Sequence, residues 1–320
     1  MNLGTLAMAV VVVIGVPAVT AGYALLTERL LMLLPERQRP KYRPWLWLAP
    51  AFAFLIAYLI YPTIQTFILS LQNANSSEFV GIDNYTRLAG QSSFWQTILN
   101  TSLWIVFFAG VSVLMALLIA VIADRVRYET VVKAFVFLPL AVSFVAAGVI
   151  WNFMYDYNPA RGTVNAALDL VGMQPQSWLT VWPRNTFMLI IVGIWMYVGF
   201  STVILSAGLK GISSELLEAA RMDGATEIQV FFRIILPLLA PTISVVATTI
   251  VITALKTFDI VYVMTNGQYG TEVIGTLFYH ARFTNHDAGT AAAVAIILLL
   301  TIIPVMLINI RRFQAQEAIR

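Results

Sequence analysis

Seven stretches of this 320-residue chain run for about 20 residues each without one charged side chain: 3–26, 45–71, 101–123, 134–153, 187–209, 238–255 and 291–310. That length matches the roughly 30 Å of hydrocarbon in a bilayer. Inside lipid no water satisfies a backbone N–H or C=O, so only helices and closed barrels can cross. Barrel strands alternate apolar and polar residues over about ten positions, whereas these runs are continuous. Composition agrees: 59% of residues are hydrophobic and 11% charged, against about 25% charged in soluble domains. The chain therefore reads as an all-α integral membrane protein, a polytopic bundle of about seven transmembrane helices. It has no cysteine, which excludes disulfides, thiolate metal sites and cysteine nucleophiles. Its expected surroundings are a lipid bilayer, not nucleic acid.

Lysine and arginine set the orientation, because cytoplasmic connections retain them. The connections 27–44, 124–133 and 210–237 and the C-terminal tail hold 14 of the 19 basic residues, Arg125 and Arg320 among them. The alternate connections hold Arg87, Arg161, Arg184, Lys256 and Arg282. Seven spans then place the N-terminus outside and the C-terminus in the cytoplasm. No charge precedes Glu28, whereas a cleaved signal carries a basic n-region. The run 3–26 is thus expected to be retained as a span.

The expected extracytoplasmic connections, 72–100, 154–186 and 257–290, are too short for independent domains. Turn chemistry punctuates them at Gly81, Asn158-Pro159 and Asn266-Gly267. Their aromatic margins suit the membrane interface.

One cytoplasmic segment departs from a plain loop. Residues 209–241 read LKGISSELLEAARMDGATEIQVFFRIILPLLAP. Ser213 or Ser214 can cap a helix, with Glu215 in its first turn. Gly224, after Asp223, can end that helix by taking positive φ. Thr226 with Gln229 three residues on is the pattern of a capping box, starting a second helix that reaches Pro237. A short amphipathic helix between two spans suits either the lipid headgroups or a protein partner. The exposed charges Glu218, Arg221 and Asp223 and the small residues Ala219, Ala220 and Gly224 serve the second use.

The spacing E-A-A, three residues, G, nine residues, I-x-L-P is filled by Glu218, Ala219, Ala220, Gly224, Ile234, Leu236 and Pro237. It resembles the EAA loop in membrane subunits of binding-protein-dependent ABC importers. FVGIDNY at 79–85, LNTSLW at 99–104 and KTFDIVYVMTNGQYGTEVI at 256–274 resemble the carbohydrate branch of that family, which includes the larger maltose permease subunit. TNGQYGTEV and FLPLAVSFVAAGVIW at 137–151 are most similar to α-glucoside permeases. The resemblance covers residues 45–320, a type I importer permease core, and leaves 1–44 as an added span with a basic cytoplasmic linker.

That resemblance implies a non-catalytic subunit in the cell's inner or plasma membrane. It implies a second, homologous permease, two ATPase subunits and an extracytoplasmic sugar-binding protein as partners, with the loop 257–290 as a docking surface. It also implies that the EAA helix couples to the ATPase: Ala219, Ala220 and Gly224 would pack closely, with Glu218 and Asp223 at the rim. The chain carries no Gly-Lys-Ser/Thr phosphate loop, since none of Lys41, Lys133, Lys210 and Lys256 follows a glycine. ATP and magnesium are therefore expected on the partner ATPase, with no cofactor on this chain. No catalytic constellation appears, and His280 and His286 do not make a metal set.

For the substrate path, polar and aromatic residues within spans are the candidates. A sugar offers hydroxyls and apolar C–H faces, which amides, hydroxyls and rings can meet. These are Asn152, Tyr155, Trp195, Tyr197, Thr249, Thr253, Lys256, Phe258 and Asp259. Each has a plainer reading: Thr248 and Thr249 can bond back to their own helix, Trp195 can be packing, and Lys256 can pair with Asp259. A polyol or glycerophosphate importer is the alternative within the family, although a phosphate would call for more cations than Lys256. A secondary transporter would show inverted repeats, and none is evident; a seven-span receptor is suggested by the count alone.

Overall fold

The structure, a computed structural model, describes residues 3–124 and 126–317. Arg125 and Arg320, counted above among the cytoplasmic cations, lie outside the described residues. Contacts divide the chain into two units, residues 1–66 and 67–320.

In the first unit, α1 (Leu3–Met32) is a 30-residue helix covering the first apolar run. A turn leads into α2 (Arg39–Ser70), so the 27–44 connection is more helical than a linker. The carboxylate of Glu28 accepts from Arg43 at 2.7 Å and from the Trp47 indole at 3.3 Å. The Tyr23 hydroxyl donates to the Leu46 carbonyl. α2 runs through position 44, where the sequence divides an added N-terminal part from the core, and contains a π-helical turn at Ile56–Ile60.

The second unit contains α3 (Asp83–Ala89), α4 (Ser92–Ala123), α5 (Glu129–Ala141), α6 (Phe144–Met154) and α7 (Thr163–Leu170). There follow α8 (Arg184–Lys210), α9 (Ser214–Met222), α10 (Glu227–Leu255), α11 (Asp259–Thr265), α12 (Ile274–Tyr279) and α13 (Ala288–Glu317). Among the described residues, five helices are long and apolar enough to cross a membrane: α2, α4, α8, α10 and the Ala288–Leu307 part of α13. The pair α5 and α6 makes a sixth if taken as one bent span. The sequence-based total of seven counts α1 as well.

The run 134–153 was expected to form one span, and the structure corrects that. α5 and α6 meet at an angle of 100°. The cause is local. Pro139 sits in a 3-10 turn, Leu138–Ala141, where it has no N–H to continue an α-helix. Val142 and Ser143 are extended, and the Ser143 hydroxyl then accepts from Ala146 N at 3.2 Å, capping a new helix.

α8 is the axle of this unit, with 61% of its most apolar window buried. Three glycines let three neighbours come close, as small residues do in membrane bundles. A Cβ on Gly193 would lie 2.8 Å from the Trp104 ring of α4. On Gly199 it would lie 2.1 Å from the Val136 carbonyl oxygen of α5. On Gly208 it would lie 2.8 Å from Leu239 of α10. Leu189, Ile190, Val192, Met196 and Leu205 of α8 are fully buried among these partners.

Buried asparagines fasten the connections. Asn84, in FVGIDNY, donates to the carbonyls of Ser70 and Gln72, both at 2.8 Å. Asn100, in LNTSLW, donates to Gly270 O at 2.7 Å and Glu272 O at 2.8 Å and accepts from the Trp182 indole at 3.0 Å. Asn185 adds a bond to Tyr269 O at 2.9 Å. The segment 266–274 is thus tied to α4 and α8 by otherwise orphaned backbone carbonyls.

Candidate functional site

The pivotal local event is the end of α10. The helix stops at Leu255, and α11 restarts only at Asp259. Between them Phe258 takes φ −143°, ψ −59°. Irregular backbone at membrane depth is tolerated where it lines a cavity or is buried in protein. Here Thr253, Lys256, Thr257, Phe258 and Asp259 line a cavity of about 230 Å³. Trp104 and Phe108 form the facing wall, from the π-helical turn Trp104–Phe108 of α4. Gly193 and Tyr197 of α8, Phe144, the first residue of α6, and Ile252 and Ile260 on either side of the break complete it. Trp104 is the fourth residue of the apolar run 101–123 and Lys256 directly follows the run 238–255, so the cavity lies near the ends of those two runs.

Its walls are rings. Phe108 meets Trp104 edge-on at 5.7 Å and Tyr197 edge-on at 5.6 Å, and Tyr197 stacks on Phe144 at 5.9 Å and 20°. Phe258 stacks on Tyr262 at 5.0 Å. The polar edge comes from the break. The hydroxyl of Thr253 donates to Thr249 O at 2.9 Å, leaving its oxygen free to accept.

Lys256 and Asp259 do not pair, contrary to the sequence expectation. An i, i+3 pair needs continuous helix, and the break at 256–258 removes it. Among the described residues neither side chain has a hydrogen-bond or ion-pair partner, and both line the cavity. A volume below the roughly 300–1,000 Å³ of drug-sized sites suits one small ring. Ring faces with an ammonium, a carboxylate and hydroxyls at one edge suit an occupant with apolar faces and a polar rim.

Five of the nine path candidates thus meet in one cavity: Tyr197, Thr253, Lys256, Phe258 and Asp259. The other four do not line it. Asn152 donates to Val263 O at 3.3 Å, holding α6 on α11. Tyr155 is 5% exposed, its hydroxyl donating to Met188 O. Trp195 packs edge-on against Trp151 at 5.7 Å. Thr249 bonds back to Val245 O at 2.9 Å and Thr248 to Ser244 O at 2.8 Å. Trp104, Phe108, Phe144 and Thr257 were not singled out from the sequence as lining residues. Three of them are ordinary apolar rings within long apolar runs, and only a π-helical turn or a helix break turns them to the cavity.

The second candidate region is the segment around α9. Ser213 occupies the N-cap position, but its hydroxyl caps nothing, which corrects the expected serine cap. The far end matches its chemistry: Gly224 has φ +83°. Gly224 N bonds to Arg221 O at 3.0 Å and Ala225 N to Ala220 O at 3.1 Å, the paired bonds of a Schellman end. Thr226 and Gln229 form the full capping box. Arg221 reaches across the break to Glu227 at 2.7 Å, and the carboxylate bonded to that guanidinium raises its pKa. No residue of α9 is buried. Glu218, Ala219, Asp223 and Gly224 are exposed, Ala220 half-buried. Ile234 and Leu236 are half-buried and Pro237 exposed, where α10 begins its apolar run. Met222, Ile228 and Phe232 are 86%, 72% and 60% exposed. Ile228 and Phe232 belong to the apolar helix α10, whereas Met222 closes the amphipathic helix α9.

Comparison with known proteins bears on both regions. The family profile described as "Binding-protein-dependent transport system inner membrane component" matches residues 112–311. The osmoprotective compounds uptake permease protein GgtC of Synechocystis is 47% identical over 279 residues, covering 86% of this chain and 100% of that protein. The alpha-glucoside transport system permease protein AglF of Rhizobium meliloti is 43% identical over 274 residues, covering 84% of this chain and 82% of that protein. Among solved structures, a chain of a bacterial alginate ABC transporter in complex with an alginate pentasaccharide-bound periplasmic protein superposes with a TM-score of 0.70. It is 25% identical, and the match covers 86% of this chain and 94% of that one.

Proposed function

The chain belongs to the family of binding-protein-dependent transport system inner membrane components, and we propose that it is a permease subunit of an ATP-driven importer for an α-glucoside or similar neutral sugar. It would supply half of the translocation path and no catalysis. ATP and magnesium would be handled by two ATPase subunits, with a second, related permease and an extracytoplasmic sugar-binding protein completing the assembly. Lysine and arginine placement supports a multi-pass topology with the C-terminus in the cytoplasm.

The observation that carries the reading is the cavity at the α10–α11 break. Its rings offer flat apolar faces to the C–H faces of a sugar. Its hydroxyls, Lys256 and Asp259 offer partners for the hydroxyl rim. Since Lys256 is accompanied by Asp259, the site brings no excess positive charge for a phosphate ester. The identity to AglF supports a glucoside. α9 supports the coupling role: it projects with its small and apolar residues uncovered, as a helix seated in another protein's groove requires. Residues 1–44 would be an addition to a permease core beginning at 45.

A second reading, a permease for a small osmoprotective compound, is favoured by the 47% identity to GgtC across that protein's full length. A single experiment separates the readings. The tagged chain is purified from native membranes in mild detergent, its stoichiometric companions are identified by mass spectrometry, and ATP hydrolysis is measured with binding protein and a panel of α-glucosides, polyols and glycerophosphates. Stimulation by an α-glucoside is the expected result. Stimulation by a polyol alone selects the second reading, and recovery of the chain without an ATPase refutes both.

A further inference from the structure

At the root of α9 lies a charge cluster with no part in the cavity. Lys210, the last residue of α8, places Nζ 2.8 Å from the Glu129 carboxylate at the start of α5. Glu129 also accepts from Lys133, one turn along α5, and Lys133 in turn reaches the Ser206 hydroxyl of α8. Ser206 is 1% exposed, and the Lys133 and Glu129 side chains are 17% and 19% exposed. One carboxylate thus holds two ammonium groups from two helices, mostly covered on the Lys133 side, with the Lys210 side chain 55% exposed. Screening is weakest at the covered Glu129–Lys133 pair, and Lys210 adds the tie to α8 from the water-facing side.

A second contact fixes the same two helices farther along. Gly199 lies 11 residues before Lys210, about 16 Å along α8, and there the backbones of α8 and α5 touch at Val136. Two fastenings that far apart prevent α5 from pivoting on α8. Beyond the second one, α5 bends into α6, whose first residue, Phe144, stacks on Tyr197 at the cavity wall. At the near end, only residues 211–213 separate Lys210 from α9.

We propose that Glu129 is a positioning residue for transport: by bridging Lys133 and Lys210 it makes α5 and α8 one rigid lever, through which movement of α9 reaches Phe144 and Tyr197 at the cavity. The inference rests on the coupling role proposed for α9. Glu129 touches neither the cavity nor the exposed face of α9, so its loss acts on the link between the two ends.

The test uses the complete transporter reconstituted in vesicles, with sugar uptake and ATP hydrolysis measured together. In Glu129→Gln, binding-protein-stimulated hydrolysis is expected to persist while sugar moved per ATP falls about ten-fold, within the usual range of coupling between sites. The chain has no cysteine, so the pair Glu129→Cys with Lys210→Cys can be joined by a short bis-maleimide. Uptake per ATP should be low in the unlinked pair and return on linking, because a covalent strut replaces the ionic one. Glu129→Lys combined with Lys210→Glu restores one carboxylate between two ammoniums and should recover more than either single change. The proposal is overturned if linking blocks uptake, since α5 and α8 would then have to slide. It is also overturned if Glu129→Gln lowers uptake and hydrolysis in equal proportion. A native transporter with no sugar-stimulated hydrolysis would instead refute the coupling reading itself.

Discussion

Gly224 can be essential for two different reasons, and the structure separates them. It ends α9 at φ +83°, where a Cβ costs about 1–2 kcal/mol. Among the described residues, its chain neighbours aside, no atom lies within 4 Å of the position a Cβ would take. Gly224→Ala therefore introduces backbone strain without a clash. Because α9 buries no residue, that strain falls on the local helix end and not on the bundle, and the ratio of correctly ended to frayed α9 drops by roughly 5–30-fold. Gly224→Asn is the informative companion. Asparagine accepts the left-handed region far more readily, but its side chain is larger than a methyl group. If Gly224 serves only as a helix end, Asn should perform better than Ala. If it also packs against an ATPase groove, Asn should perform worse. We expect the second order. The assay is ATPase retention on the purified chain, followed by binding-protein-stimulated hydrolysis. Thermal unfolding of the isolated subunit should be the same for all three proteins. Asn at or above the level of Ala in both assays would refute close packing at this position.

Three further outcomes follow from the geometry. Tyr197→Ala removes one ring from the cavity wall and should raise the KM for uptake about ten-fold, as the loss of one ring contact of roughly 0.5–1.5 kcal/mol with the occupant, while Tyr197→Phe, tested in the same uptake assay, changes it little. Asp259→Asn leaves Lys256 as the sole charge of the cavity; competition assays should show weaker inhibition of uptake by neutral sugars and new inhibition by anionic analogues. Asn100→Ala removes the bonds to the Gly270 and Glu272 carbonyls and to the Trp182 indole, at about 0.5–1.5 kcal/mol net for each, and should lower the melting temperature of the detergent-solubilised subunit by several degrees.

Five of the seven expected spans and the helix–glycine–helix shape of residues 214–237 were legible because each rests on local chemistry. Apolar length is readable from a run of residues, and so are Gly224 after Asp223 and the Thr226–Gln229 box. The bend between α5 and α6 was signalled by Pro139, but its size depends on the extended Val142–Ser143 pair. The cavity was legible only in part. Thr253, Lys256, Phe258 and Asp259 stand out as polar or aromatic residues at the edge of a span. Whether Lys256 pairs with Asp259 depends on where α10 stops, and no glycine or proline marks that position. Trp104 and Phe108 carry no local signal at all. Their place is set by Gly193 across the interface, a contact between residues 85 or more positions apart.

The uncovered face of α9 has a consequence for the life of the subunit before it works. Met222, at the end of α9, is 86% exposed in the solitary chain, in a helix that buries none of its residues. Apolar surface of that kind attracts chaperones, proteases and like surfaces on other copies. A cell that makes this chain in excess of its companion thus produces a marked orphan, and degradation can match the two supplies without dedicated control. The same patch predisposes the isolated subunit to self-association during purification, and co-expression with the companion is the direct remedy.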